Sequence, residues 1–280
     1  MKKTINHSSF VINFWMIFLF IVYCLRLRID PSKFFQLNAD YFNKEKGIYS
    51  KLEINQLIPF RWRLKQIVYS SGIMPTRFPV FLKPEWGQNS NGIYRADSPE
   101  EFKEIQRIVA KKDMTYLLQE AADENREFEV YYIRQADHLD HCATLTITEV
   151  KNQRDGNHPI NGVKNAYTSY TDLTQEFTDI GLQTIWNHVK SIGNFRMARV
   201  CIKANSEIDL LKGEFHIVEI NLLTPMPIHL LDQRVPWKNK MGYIKNGMWL
   251  LAENAQAIST RQESKKLFLR KLGMHYRVKS

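Results

Sequence analysis

Cysteine, glycine and proline are all scarce in this chain of 280 residues. The three cysteines form no Cys-x-x-Cys pair and lie too far apart for a disulfide framework or a cysteine-based zinc site, and their thiols suit a reducing compartment. Twelve glycines and ten prolines exclude collagen-like and proline-rich chains, and the absence of an internal repeat of about 20–50 residues argues against a solenoid or propeller. With 44% hydrophobic and 24% charged residues, the sequence is typical of a globular chain with one large domain or two small ones.

Basic residues are in excess, and the excess is concentrated towards the C-terminus. The net charge is +10, and the segment 245–280 alone has eight lysines and arginines against two glutamates, a net +6. Such a segment is either a solvated helix face or a surface for anionic lipid or another polyanion. The sequence has no nucleic-acid-binding motif, so we expect no nucleic-acid partner.

A run of sixteen residues near the N-terminus, Phe10–Leu25, has no charge and a single polar side chain, Asn13. It is about one turn shorter than the ~20 residues that cross a bilayer as a helix, a difference that snorkelling arginines or local thinning can supply. The run ends without the small residues of a signal-peptide cleavage site. We therefore predict an uncleaved membrane anchor at 1–30, with a buried core helix and a cleaved signal as alternatives. Basic residues flank both ends and leave the orientation open: Lys2, Lys3, Arg26 and Arg28.

Alternating apolar segments bounded by turns predict several strands with few helices between them, which is typical of an α+β fold with antiparallel sheets. Helices are predicted from Asp97, where a capping residue precedes a proline and two acids, and over Leu173–Ile192. The predicted organisation is a helical connecting segment at 31–75, a domain at 76–235 and a basic helical tail at 236–280. The strands are predicted at Phe78–Lys83, Tyr116–Gln119, Glu127–Arg134, Ala143–Val150, Met197–Lys203 and Phe215–Ile220.

The first segment with recognisable chemistry is a strand-end lysine followed by a small, polar loop. Lys83 precedes Pro84, and the loop from Gly87 ends at Gly92, nine residues after the lysine. A lysine offers a point charge, and backbone N–H groups with the Ser90 hydroxyl can surround phosphate oxygens. The pattern indicates a triphosphate site, and a surface hairpin with a solvated lysine is the alternative.

A second segment places two acids around a pair of small residues. Glu120 is followed by Ala121 and Ala122, and Glu127 comes seven residues after the first acid. Backbone groups at a strand end can contact an adenine edge, and the later carboxylate can accept hydrogen bonds from ribose hydroxyls. The segment favours a nucleoside site, with two exposed surface acids as the alternative.

Two later strands carry polar residues in apolar surroundings. Arg199 stands in an apolar run and needs an anionic partner, which is either a ligand or a structural salt bridge. Strand alternation places Glu219 and Asn221 on one face. A carboxylate and an amide oxygen suit Mg²⁺ that also holds phosphates, so we predict a metal site there, with a solvent-facing strand edge as the alternative.

Taken in order, these segments resemble the ATP-grasp fold over about residues 76–232, and within it the D-alanine–D-alanine ligase-like carboxylate–amine ligases. The chain also resembles a group of often membrane-anchored bacterial ATP-grasp proteins, through its FPVFLKPEWG and EIN segments. The resemblance implies two lobes with antiparallel sheets behind the apolar N-terminal helix, and binding of ATP with Mg²⁺. The roles that it implies are catalysis at Arg199 and Lys83, nucleotide binding at Lys83, Ser90, Gly92, Glu120, Ala121, Ala122, Glu127 and Lys164, and metal binding at Glu219 and Asn221.

The sequence departs from the family pattern in two respects. The family has an aspartate metal ligand two residues after the strand arginine, where this chain has Cys201, and a thiol is a poor ligand for Mg²⁺. The connecting segment 31–75 is only 45 residues long, too short for the substrate-binding domain that precedes the ATP-grasp core of those ligases. Lys65 is the nearest candidate for their first phosphate-binding lysine, and Lys164 is a candidate for the mobile loop that closes over phosphate.

The resemblance implies an ATP-dependent ligase that joins a small-molecule carboxylate to an amine through an acyl phosphate. The alternatives are a nucleotide-binding, membrane-associated module without ligase activity, which Cys201 favours, and a structural membrane protein with chance motifs. Because ATP and Mg²⁺ are abundant in the cytosol, we predict a membrane-anchored protein with its body in the cytoplasm, although Lys2 and Lys3 favour the opposite orientation. The basic tail is predicted to contact membrane lipid, since its lysines and arginines flank Leu267, Phe268 and Leu269.

Overall fold

The computed structural model describes residues 7–87, 90–152, 160–162, 165 and 167–258. The helices are α1 (His7–Arg26), α2 (Lys51–Leu57), α3 (Pro99–Val109), α4 (Asp179–Lys190), α5 (Glu207–Lys212) and α6 (Trp237–Gln256). The strands are β1 (Gln66–Val68), β2 (Val80–Pro84), β3 (Tyr94–Ala96), β4 (Tyr116–Glu120), β5 (Arg126–Arg134), β6 (Cys142–Asn152), β7 (Thr168–Asp172), β8 (Met197–Ala204) and β9 (His216–Asn221). Short 3-10 helices lie at Pro31–Gln36, Ala39–Tyr41, Phe60–Trp62, Thr174–Glu176 and Ile228–Leu231.

These strands form two antiparallel sheets. The small sheet has the order β1-β4-β2-β3, and the large sheet has the order β7-β6-β5-β8-β9. Every hydrogen-bonded neighbour pair in the two sheets runs antiparallel. The predicted α+β class, with antiparallel sheets in two lobes, is confirmed.

Local capping signals fix α2 and attach it to the small sheet. Ser50 caps the helix, because its hydroxyl accepts a hydrogen bond from the backbone N–H of Glu53 at 3.3 Å. The same hydroxyl donates to Glu85, just after β2, at 2.5 Å. The first residue of the helix, Lys51, is thereby held beside the end of β2.

Three apolar clusters hold the layers together. One packs a face of the large sheet against α2, α4 and α5, with Trp62 stacked on Phe215. A second packs the small sheet against α3 around Phe102. The third packs the opposite face of the large sheet, including Tyr131 and Ile133, against α1 and α6. Because successive side chains of a strand point to opposite faces of the sheet, the large sheet contributes residues to two cores.

The N-terminal helix α1 belongs to the third core on one side only. Four residues at four-residue spacing are buried against α6 and its neighbours: Ile12, Met16, Phe20 and Cys24. The segment Ser9–Arg26 is long and apolar enough to cross a membrane, a test that core helices and signal sequences also pass. The predicted apolar helix is confirmed, and its role as a membrane anchor stays a prediction.

The structure adds detail to the predicted domain boundaries, which stay a prediction. The segment 31–75, expected to be a helical connection, also contains β1, where Ile67 pairs with Leu118 of the small sheet. The predicted tail 236–280 begins with α6, which packs against α1. Its basic residues from 259 onwards lie outside the described residues.

Candidate active site

A cleft lies between the two sheets, and its space, counted together with the open mouth, is about 1190 Å³. Its lining comes from β2, β4 and the loop between β2 and β3 on one side, and from β5, β8 and β9 on the other. Nine of the predicted site residues line the cleft: Lys83, Ser90, Glu120, Ala121, Ala122, Glu127, Arg199, Glu219 and Asn221. The sheet packing therefore brings the four sequence segments together.

The other two predicted residues do not contribute in the same way. Gly92 is absent from the described lining and has a φ of 74°, a left-handed conformation that favours glycine. A β-carbon at this position would lie 3.2 Å from the Tyr116 hydroxyl, so the glycine shapes the loop. Lys164 lies outside the described residues, and its predicted phosphate contact stays a prediction.

Three neighbouring strands of the large sheet present their polar residues in rows. On β8, Cys201 pairs with Glu129 of β5 on one side and with Glu219 of β9 on the other. Arg199, two residues earlier on the same face, pairs with Asn221. Directly opposed residues have β-carbons only about 5 Å apart, so this register alone concentrates charge in the floor of the cleft.

Lys83 enters the cleft from the small sheet and is almost completely buried, with 4% of its surface exposed. Its ammonium group donates to Gln119 Oε1 at 3.0 Å and to the carbonyl oxygen of Val218 at 3.3 Å. Burial lowers the pKa of Lys83 to about 7, with Lys51 acting in the same direction and Glu219 in the opposite one. A lysine with this pKa gains charge readily when an anion enters the cleft.

A second lysine, Lys51, lines the same cleft from the start of α2. Its ammonium group lies 3.2 Å from Glu219 Oε1, which is also electrostatically coupled to Lys83. Lys65, the sequence-based candidate for this role, is exposed and absent from the described lining. Lys51, and not Lys65, is therefore the lysine that lies beside Glu219 in the described part of the cleft.

Arg199 has a structural partner in the cleft as well as access to a ligand. Its Nε lies 2.5 Å from Glu129 Oε2, and its Nη1 donates to the carbonyl oxygen of Met226 at 3.2 Å. Burial raises the pKa of Glu129 to about 7, assisted by Glu127 and Glu219 and partly offset by Arg199. These two contacts fix the guanidinium at the floor of the cleft.

The oxygen donors in the floor fit a hard divalent cation, whereas the thiol between them does not. Burial tends to raise the pKa of Glu219, but Lys51, Lys83 and Arg199 together hold it below its usual value. Burial raises the pKa of Cys201 well above its usual range, so this thiol is protonated. Carboxylate and amide oxygens from Glu219, Asn221 and Glu129 are the ligand types that Mg²⁺ prefers.

The ligand atoms of Glu127, Glu129 and Cys201 also lie within 4.8 Å of one another, which makes them a second candidate metal cluster among the described residues. It shares Glu129 with the first set of donors and includes the protonated thiol of Cys201. Because a thiol suits softer ions, the carboxylates of Glu129 and Glu219 are better placed chemically than Cys201 to hold Mg²⁺.

The residues that were predicted to contact a nucleoside lie at the end of β4 and at the start of β5. Glu120 closes β4, and its carboxylate accepts a hydrogen bond from the Lys65 backbone N–H at 2.8 Å. Ala121 and Ala122 follow at the strand end and line the cleft. Glu127 lies 3.4 Å from the Lys203 ammonium group, so an acid and a base face the cleft together.

A chain of hydrogen bonds crosses the mouth of the cleft. The Ser90 hydroxyl donates to the carbonyl oxygen of Asn161 at 2.5 Å, and the Asn161 amide donates to Glu127 at 2.9 Å. The β2–β3 loop is thereby joined to the large sheet. In this conformation Asn161 occupies one oxygen of the acid that is predicted to bind ribose.

Among the polar residues that line the cleft, the following were not predicted from the sequence: Lys51, Glu129, Asn161 and Lys203. The period of two along β5 and β8 was sufficient to find Glu129 from Glu127, and Lys203 from Arg199 and Cys201. Lys51 has no comparable local signal, because it enters the site through the Ser50–Glu85 contact.

No protein-family model matches this sequence, and no curated protein matches it. Among solved structures, a D-alanine–D-alanine ligase from Bacillus anthracis is similar with a TM-score of 0.50 and 14% identity, over 80% of this chain and 69% of that one. The VanG D-Ala:D-Ser ligase from Enterococcus faecalis gives 0.48 and 12%, over 71% of this chain and 61% of that one. An L-amino acid ligase from Bacillus licheniformis gives 0.46 and 16%, over 74% of this chain and 47% of that one.

This chain therefore spans less than two thirds of the length of the VanG ligase and about half of the L-amino acid ligase. The likeness to the Bacillus anthracis structure agrees with the two antiparallel sheets and the cleft between them. The described part of the chain has the ATP-grasp fold.

Proposed function

We propose that this protein is an ATP-dependent ligase that joins a carboxylate to an amine through an acyl phosphate. The observation that supports this proposal best is the convergence of Lys51, Lys83 and Arg199 on Glu219 and Asn221 in one cleft between two sheets. Cations for phosphate and oxygen donors for a metal ion are the groups that phosphoryl transfer requires.

The nucleotide is proposed to lie along the length of the cleft. Backbone groups at Ala121 and Ala122 contact the adenine, with Glu120 at the strand end. Glu127 accepts hydrogen bonds from the ribose after Asn161 releases it. Ser90 and Lys83 then face the phosphates, where a buried ammonium group and a hydroxyl stabilise negative charge.

Glu219 and Asn221 are proposed to hold Mg²⁺, with Glu129 as a further carboxylate. When bound, Mg²⁺ would neutralise charge on the phosphates, and phosphoryl transfer depends mainly on such neutralisation. Lys51 lies against Glu219 and would be free to turn towards phosphate if that carboxylate held a metal ion.

In the proposed reaction, a carboxylate oxygen of the substrate bonds to the γ-phosphorus of ATP and ADP leaves. The amine nitrogen then bonds to the acyl carbon, inorganic phosphate leaves, and the nitrogen loses a proton. Arg199 stabilises the negative charge that develops at the carboxylate and on the transferring group. Lys83 neutralises the departing diphosphate. Both residues act through position and charge.

A nucleotide-binding module without ligase activity is the second candidate, and Cys201 is the observation that favours it. A protonated thiol between Glu129 and Glu219 removes one hard ligand from the centre of the predicted metal site. Such a module binds ATP and has no turnover with any acceptor.

We propose that the body of the protein lies in the cytoplasm, because the proposed reaction uses ATP. This part of the proposal depends on the supply of ATP and Mg²⁺, and the sequence flanks of α1 do not decide it. A reporter fused after Ser280 tests it, because alkaline phosphatase activity without cytoplasmic fluorescence would contradict a cytoplasmic body.

The function is tested by calorimetric titration of ATP with and without Mg²⁺, followed by phosphate release with pools of amino and hydroxy acids. Glu219→Gln should abolish phosphate release and reduce Mg²⁺-dependent ATP binding. Glu214→Gln is the matched control, since Glu214 is exposed just before β9 and should behave as wild type. Phosphate release that survives Glu219→Gln unchanged would remove this site from the mechanism, and binding without release would favour the module.

A further inference from the structure

The outward face of α1 is a continuous apolar surface that is exposed to solvent. Its exposed apolar residues are Phe10, Val11, Phe14, Ile17, Phe18, Ile21, Val22 and Leu25. Among the described residues of this face, Asn13 is the polar exception. The opposite side of the helix is the buried stripe that packs on α6. Large contiguous apolar surfaces mark a binding face for an apolar partner.

The C-terminal end of this face is basic and aromatic. Arg26 and Arg28 are exposed there, and the Arg26 guanidinium lies 5.6 Å from the centre of the Trp249 ring of α6. Tyr23 contacts the same ring edge-on, with centroids 5.4 Å apart. Aromatic rings and long basic side chains at one level are typical of the boundary between lipid headgroups and acyl chains.

The basic C-terminal segment starts at the same place. Lys33 donates to the carbonyl oxygen of Ile258 at 3.4 Å, and Gln256 donates to that of Leu27 at 3.5 Å. The sequence that follows, 259–280, has seven lysines and arginines and one glutamate. The segment 259–280 itself lies outside the described residues, and the described positive charge at this end of the apolar face comes from Arg26, Arg28 and Lys33, which complement anionic headgroups.

We propose that α1 lies along the surface of an anionic phospholipid bilayer. Its outward face inserts into the apolar region of one leaflet, its inward face stays on α6, and the basic residues at its end contact headgroups. The protein is then attached to one side of the membrane through a helix that is also part of its core.

The packing of α1 opposes a crossing arrangement, although its length permits one. Twenty residues give about 30 Å of helix, which matches the hydrocarbon thickness. Crossing with α6 attached would bring the exposed Lys238 and Lys245 of that helix into hydrocarbon, where a charged side chain is strongly disfavoured. If α1 crossed the membrane without α6, its buried residues would lose their packing against Tyr131 and Met197. When only the outward face inserts, that face contacts acyl chains and the inward face keeps its packing on α6.

The first test is co-sedimentation of the full chain with vesicles of phosphatidylglycerol and phosphatidylcholine. Ile17→Asp should reduce binding about tenfold or more, since it puts a charge in the centre of the inserted face. Ile180→Asp on α4 is the matched control, because Ile180 is 80% exposed and Ile17 is 61% exposed, and it should bind as wild type. Both variants should keep the wild-type thermal midpoint, and Phe14→Ser replaces Ile17→Asp if that variant does not fold.

Three results would overturn the proposal. One is equal vesicle binding by wild type and Ile17→Asp. Another is a lipid-free dimer that Ile17→Asp dissociates, combined with no vesicle binding, which would identify a second copy as the occupant. The third is vesicle binding that is gained only when residues 259–280 are removed, which would identify that segment as the cover of this face.

A depth measurement separates insertion in one leaflet from crossing. A fluorescent amino acid is placed at position 10 or at position 25, near the two ends of the exposed face, and quenched by lipids brominated at different depths. Equal depth profiles at both positions are expected for a helix that lies along the surface. Profiles that place the two positions in opposite leaflets would establish a crossing helix and overturn the proposal.

Discussion

Glu129 and Cys201 lie directly opposite each other on adjacent antiparallel strands, and Glu219 lies opposite the same cysteine on its other side. A protonated thiol is thus flanked by two carboxylates in the floor of the cleft. This position separates the oxygen donors that suit Mg²⁺, so the identity of residue 201 should set the metal affinity of the site.

Cys201→Asp should increase the affinity of the free protein for Mg²⁺ by about tenfold or more, because it completes a set of hard ligands. Without the metal ion, the same change should destabilise the fold by about 1–3 kcal/mol, since it adds a third carboxylate to a half-buried row. Titration calorimetry and urea unfolding measure the two effects. Cys201→Ser is the size-matched control and should show neither. An unchanged Mg²⁺ affinity in Cys201→Asp would contradict the assignment of the metal site.

ATP binding should take up a proton near neutral pH. Burial lowers the pKa of Lys83 to about 7, so above that pH the free protein holds this amine mostly neutral. Phosphate oxygens favour the charged amine, and the affinity for ATP should therefore fall as the pH rises above 7. Calorimetry in buffers of different ionisation enthalpy measures the uptake.

Lys83→Met should abolish the proton uptake, and Lys65→Met, at an exposed position outside the described lining, should retain it. The protonation of Lys83 also gives the unfolding free energy a pH dependence, which is a separate effect. Because the unfolded chain binds the proton up to pH 10.5 and the folded chain only to about 7, the unfolding free energy should rise with pH between these values. Lys83→Met should lack that rise.

Glu129→Gln should raise the unfolding free energy while it impairs the reaction. Burial raises the pKa of Glu129 from 4.5 to about 7, so this carboxyl group contributes stability at low pH that is lost as the pH rises through 7. Glutamine does not titrate. The difference in unfolding free energy between variant and wild type should therefore grow by about 1–3 kcal/mol from pH 5 to pH 8.

Urea unfolding across this pH range measures the effect, with the exposed Glu214→Gln as a control that should show no such trend. Because Arg199 loses its anionic partner in Glu129→Gln, the kcat of phosphate release should fall, whereas the KM for ATP should change little. A stability difference that is independent of pH would contradict the titration of Glu129 in this range.

Phe20→Ala should destabilise the protein by about 3–5 kcal/mol, because this side chain is 4% exposed in the core between α1 and α6. Phe18→Ala, on the outward face and 46% exposed, should cost less than about 1 kcal/mol. Chemical unfolding in the absence of lipid compares the two. Equal effects would contradict the division of α1 into a buried and an exposed side.

The sequence patterns predicted the fold class and nine of the residues that line the cleft, because these residues lie on strands or beside them. Alternation along β9 placed Glu219 and Asn221 on one face, and the structure brings that face to the cleft. The capped start of α3 was also predicted, and in the structure Ser98 accepts a hydrogen bond from the Glu101 N–H at 3.2 Å. Short elements such as β1 and β3 were missed, since three residues give no periodic signal.

Other features depend on contacts between distant segments and could not be predicted from local patterns. Lys51 reaches the cleft because Ser50 bonds to Glu85, a contact across 35 residues. The apolar run of α1 predicted a helix, but its composition is apolar on both sides, so it gave no sign that Phe20 packs in a core. That information lies in α6, at the other end of the chain.

The pairing of the first helix with the last has a consequence for biosynthesis. Arg26 and Trp237 are 211 residues apart, so at about 5–20 residues per second α1 leaves the ribosome roughly 10–40 s before α6 exists. During that interval the stripe around Phe20 has no protein partner, and a nascent chain with two apolar sides is prone to aggregate. A lipid surface that receives α1 during translation would shield it until α6 arrives, so we expect synthesis without membranes to lower the soluble yield of wild type more than that of Ile17→Asp.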